Sequence, residues 1–200
     1  KRRVFLTTPD RHSNLLIARL CVLIVVVLFA ASCGSDGGGG SALDLDESDL
    51  VGTRMIDPER QLSFEDFKTV GFKKNTKYDV SELREAQEAY FGFWGIDPYD
   101  RKDFELRIYA SQSDAIAHGT KLASERTWPN ELLTKDTANW LVGIDDARKC
   151  QGVQGMGFAT CDVPKYYDYM FVGNVILFCP GASLAVAKEN CDELVTALNQ

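Results

Sequence analysis

"YYDYMFVGNVILFCPGASLAVAKENCDELVTALNQ", residues 166–200, is the stretch whose reading decides the fold. Two β-rich runs flank Gly173-Asn174, and these residue types tolerate the positive φ that a tight two-residue hairpin turn requires. The turn sets a register. Val172 pairs with Val175, Met170 with Leu177 and Asp168 with Cys179 on one face, while Phe171 pairs with Ile176 and Tyr169 with Phe178 on the other. Pro180-Gly181 ends the second strand, and Ser183 is suited to cap a helix. Leu184, Ala187, Cys191, Leu194, Val195 and Leu198 then recur at helical spacing as one apolar stripe. The unit reads ββα.

A similar unit precedes it. "EAYFGFW" and "FELRIYA" read as strands joined by the turn-rich "GIDPYDRKD", and "SQSDAIAHGTKLASERT" reads as a helix capped by Ser111 or Ser113. At an offset of 70, Ser113-Asp-Ala-Ile-Ala falls on Ser183-Leu-Ala-Val-Ala, and Leu106 and Ile108 fall on Ile176 and Phe178. A ββα-ββα pseudo-repeat implies an α+β, two-layer domain: an antiparallel sheet of about four strands with the helices packed on one face. Residues 50–80 add a short helix, "SFEDFKTV", and an extended piece, and residues 127–165 read as irregular.

The hairpin is apolar on both faces, whereas "FELRIYA" alternates as a half-exposed strand should. Tyr167, Tyr169, Phe171, Ile176 and Phe178 therefore need a cover beyond the helices. Residues 50–80 or 127–165 can supply it. The alternative is an aromatic binding patch of Tyr167, Tyr169, Phe171 and Phe178, bordered by Glu105, Arg107 and Tyr109.

The N-terminus carries an address. Lys1, Arg2, Arg3, Arg11 and Arg19 precede an uncharged run from Leu20 to Ser32, the order of a secretory signal peptide. That run is shorter than the roughly 20 apolar residues that span a bilayer. Ala30, Ala31 and Ser32 directly before Cys33 resemble the lipobox of bacterial membrane lipoproteins. The resemblance implies removal of residues 1–32, acylation of Cys33 and a lipid-anchored location on the extracytoplasmic side of the cell membrane. Residues 33–50, Gly/Ser-rich and then acidic, would be a tether of about 20–25 Å to a single domain at 51–200. The "VGN" hairpin before a last helix is similar to small α+β domains of envelope lipoproteins, a likeness that assigns no site residues.

Charge and cysteine usage follow the same boundary. Residues 1–32 hold five of the 22 Lys and Arg but one of the 29 Asp and Glu, leaving 17 basic against 28 acidic residues, a formal −11. Such a domain has no basic footprint for nucleic acid. Beyond Cys21 and Cys33 stand Cys150, Cys161, Cys179 and Cys191, which in an oxidising compartment suit two disulfides. Three connectivities are open, and sequential pairing would close two loops of about a dozen residues. A zinc site would want a C-x-x-C that the sequence lacks.

No catalytic set and no cofactor motif stands out. His118 lies four positions beyond Asp114 on the expected helix and is read as a boundary residue. "GVQGMGF" (152–158) precedes Cys161 instead of opening a helix, so it is read as a cystine-bounded loop and not a phosphate cradle. Asp44, Asp46 and Ser48 read as a solvated linker, and Asp97, Asp100 and Asp103 as a polar connection, in preference to calcium loops. The expectation is a non-catalytic domain that binds an envelope protein or a small ligand, with an envelope hydrolase using a carboxylate pair as the alternative.

Overall fold

The computed structural model describes residues 46–96, 99–130, 132–152 and 159–200. The expected signal peptide, Cys33 and most of the tether lie outside them. A 3₁₀ turn over Glu47–Leu50 leads to β1 (Met55–Ile56), α1 (Phe64–Thr69), β2 (Lys73–Tyr78), β3 (Ala86–Trp94) and β4 (Lys102–Tyr109). Gln112–Asp114, a π-helical turn Ala115–Gly119 and Thr120–Glu125 then follow without a break, and this run is termed α2. β5 (Arg148–Gly152), β6 (Ala159–Pro164), β7 (Tyr166–Val172), β8 (Val175–Pro180) and α3 (Leu184–Leu198) complete the order.

The domain is α+β, built on a six-stranded sheet in the order β1-β7-β8-β4-β3-β2, antiparallel except where β1 runs parallel to β7. β5 and β6 form a separate two-stranded ribbon. The β7–β8 register is the one expected, from Val172↔Val175 to Asp168↔Cys179. Gly173 has φ +54°, and a Cβ there would stand 2.2 Å from the Arg60 carbonyl oxygen, so glycine is required. Both disulfides are the sequential ones, Cys150–Cys161 and Cys179–Cys191, the second with Cα atoms 5.4 Å apart.

Two expectations are corrected. The sheet has six strands and not about four, because β1 and the lysine-rich β2 add themselves at its two edges. The lysines of β2 also make that edge a poor template for another chain. The helices do not share a face. α1 and α3 cover the face that carries Tyr90, Leu106, Ile108, Met170, Leu177 and Cys179. α2 and residues from 133 to 147 cover the opposite one, with Tyr109, Tyr169, Phe171, Ile176 and Phe178.

The ββα order occurs twice, as β3-β4-α2 and β7-β8-α3, but the two units place their helices on opposite faces of the sheet. Leu106 and Ile108 face α3, whereas Ile176 and Phe178, their counterparts at an offset of 70, face α2. The connector from strand end to N-cap is one residue longer after β8 (Pro180 to Ser183) than after β4 (Tyr109 to Ser111). Side chains alternate with a period of two, so an odd difference sends the chain to the other face.

Candidate functional site

The aromatic residues that the sequence offered as an alternative binding patch are interior. Tyr169, Phe171, Phe178, Glu105, Arg107 and Tyr109 are all buried, at 3% exposure or less. Tyr167 alone is half-buried, stacked on Trp128 with ring centres 5.9 Å apart and Lys149 Nζ 4.6 Å from its ring centre. The physical reason is the cover: α2 and the chain after it lie over the face that the hairpin left apolar.

The other singled-out residues are dispersed. Half-buried His118 sits in the π-helical turn of α2. Asp103 pairs with Lys165 at 2.9 Å and Asp100 with Lys102 at 3.1 Å, while Asp97 and Asp44 lie outside the described residues. Among the described residues, no group of three or more His, Cys, Asp or Glu is arranged to hold a metal ion. Gly152 ends β5, and 153–158 lie outside the described residues.

A carboxyl-based site gains no shape either. Burial pushes the Asp168 carboxyl above its ordinary range, against backbone hydrogen bonds and Arg54. Its Oδ1 accepts from the Gly52 and Tyr169 amides, each at 2.8 Å, and Arg54 Nε stands 3.5 Å from Oδ2. This carboxyl is sealed by the chain itself.

A broad concavity lies elsewhere, a groove of about 1070 Å³ between α3 and the connection that leaves β3. Its size is at the upper end of ligand sites, which run to about 1,000 Å³. The apolar floor is Val70, Trp94 and Ala197, with Ile96 exposed on the lip. Trp94 is fixed in place, since its indole Nε1 donates to the Val70 carbonyl at 2.9 Å. Gly95, at φ +115°, turns the chain sharply there, and a Cβ would stand 2.1 Å from the Asp100 carbonyl oxygen.

The rim is acidic. Among the described residues Asp100, Glu189, Asp192 and Glu193 line the groove, with Lys188 the one lining cation. Lys102 reaches across from β4 and holds Asp100 at 3.1 Å and Glu193 at 2.8 Å. Burial works against its charge, yet the hydrogen bonds to Glu193 and Asp100 raise its pKa. Asp192 pairs with Arg54 at 2.5 Å. Lys102 and Arg54 thus hold three of the four rim carboxylates, and with Lys188 they leave the rim a small negative excess. Over an apolar floor this suits a ligand with an apolar body and a cationic group. Sequence reasoning passed over this site because its parts come from three distant segments. One signal was present: Ala185, Lys188, Asp192 and Thr196 repeat at helical spacing along the flank of α3 beside its core stripe.

Residues 63–200 match the model of a family of unknown function, DUF6810. The chain belongs to this family. The match starts at Ser63, the N-cap of α1, and takes in the whole groove and both disulfides. No curated protein and no solved structure matches the chain.

Proposed function

We propose that this DUF6810 member is a binding protein of the extracytoplasmic membrane surface, anchored through a lipid on Cys33 and presenting the α3–β3 groove to a basic, amphipathic partner. The observation that carries the binding reading is the groove itself, an anchored tryptophan under a rim of four carboxylates. An apolar run bounded by arginines, small residues before Cys33 and a glycine tether support the anchor. No helix among the described residues is long and apolar enough to cross a membrane. The acidic domain gains nothing from an anionic lipid surface, which leaves the attachment to the lipid.

The test takes the full chain in detergent and titrates it with a short peptide of alternating Leu and Lys, then with its Glu-for-Lys counterpart. Calorimetry is expected to show binding of the basic peptide only. Trp94→Ala should weaken it about tenfold or more, the cost of a central aromatic anchor. Equal binding of both peptides, or an unchanged Trp94→Ala, overturns the groove as the site. The anchor has its own readout in the intact mass of membrane-extracted protein. A chain still starting at Lys1, or a Cys33 without acyl mass, overturns that part.

A further inference from the structure

Beneath the cover on the α2 face, β4 carries two charged residues with no exposure at all, Glu105 and Arg107, and Arg126 descends from the end of α2 to meet them, also fully buried. Arg107 Nε donates to Glu105 Oε1 at 2.8 Å, and Arg126 Nη1 donates to Oε2 at 2.9 Å. Trp140 lies over both guanidiniums, its ring centre 4.7 Å from Arg107 Cζ and 4.2 Å from Arg126 Cζ, while the Phe178 ring lies 4.4 Å from Arg107 Cζ. Arg126 Nη2 donates to the Trp140 carbonyl at 3.0 Å and to that of Val142.

Among the described residues the cluster does not balance. One carboxylate faces two guanidiniums, and a buried Arg keeps its proton. The leftover groups among the described residues are mostly donors: Arg107 Nη1 and Nη2, Arg126 Nε and Trp140 Nε1 can only donate, while the Tyr109 and Tyr166 hydroxyls, also buried without a hydrogen-bond partner, can donate or accept. No second carboxylate among the described residues forms an ion pair with either guanidinium. Asp146 accepts from the Tyr78 hydroxyl at 2.8 Å, and Asp103 is paired with Lys165 at the margin. Water can satisfy donors, but it cannot neutralise an unpaired charge held away from solvent. Both deficits, of acceptors and of negative charge, are met by one kind of group.

We propose that the Arg107 guanidinium edge is a binding site for a small monovalent inorganic anion of halide size, which completes the Glu105–Arg107–Arg126 cluster. The site is independent of the groove, on the opposite face of the sheet. A ligand bound only by the folded chain stabilises it in proportion to the logarithm of its concentration.

The experiment measures the melting temperature of the full chain in detergent, in sodium chloride, bromide or nitrate against sodium gluconate at matched ionic strength. Melting temperature is expected to climb with the logarithm of chloride concentration, to climb with bromide and nitrate too, and to stay level in gluconate. Arg107→Met should abolish the difference between chloride and gluconate. Since that variant can fail to fold, bromide-soaked crystals of the unaltered protein provide a second readout, with an anomalous peak expected in hydrogen-bonding reach of Arg107. Superimposable curves in chloride and gluconate overturn the proposal. So does an Arg107 edge that holds only water in the bromide crystals, whatever the melting curves show.

Discussion

Asn174 occupies the second turn position of the β7–β8 hairpin, where a tolerance of positive φ would be reason enough for asparagine. Only Gly173 of the pair has positive φ, the pattern of a II′ turn, so Asn174 answers to something else. Its buried amide accepts from the Leu62 N–H at 2.7 Å and donates to the carbonyls of Leu62 (3.1 Å) and Tyr109 (2.7 Å). One side chain thus satisfies the segment entering α1 and the end of β4. Asn174→Ala is expected to destabilise the domain by about 3 kcal/mol, because it strands buried backbone groups and does not merely remove bonds. Urea unfolding with an unchanged m-value would show this, and Asn174→Asp, which sets a buried carboxylate against the two carbonyls, should cost at least as much. The turn was legible in the sequence. The clamp was not, because its partners are 65 and 112 residues away.

At the scale of elements, the C-terminal hairpin and helix were readable because their determinants are local: a turn pair, alternation with period two, a cap and a stripe with period 3.6. The Cys179–Cys191 bond locks β8 to α3 about two turns inside the helix, on its apolar stripe. Replacing both cysteines by alanine should cost about 2–4 kcal/mol, seen as a lower denaturation midpoint, since the bond closes a short loop between elements that pack anyway. The Cys150–Cys161 bond, which only crosses the β5–β6 ribbon, should matter less to the main sheet when removed alone. The face taken by α2 was not readable. It follows from a one-residue difference between two connectors, and nothing in the helix stripe itself records which side of the sheet it will meet.

Across the whole molecule, Asp168 joins the two ends of the described chain. It accepts from Gly52, 116 residues away, and faces Arg54, which in turn holds Asp192 on α3. Burial raises its pKa above the ordinary 3.8. Between that value and the raised one the folded state holds more proton than the unfolded, so stability falls as pH rises through this window. Asp168→Asn removes the titration, and its melting temperature relative to the unaltered protein should therefore improve from pH 4 to pH 7. A difference independent of pH would contradict the assignment. By itself the sequence determined the α+β class, the hairpin register, the stripe of α3 and the disulfide-sized cysteine spacing, all set by neighbours a few residues apart. Tertiary structure alone decided which helix covers which face. It sealed the aromatic cluster that looked like a binding patch, and it brought Val70, Trp94 and α3 together as a groove. Burial and encounter between distant segments depend on where the chain returns in space, and residue spacing carries no distance across a sheet.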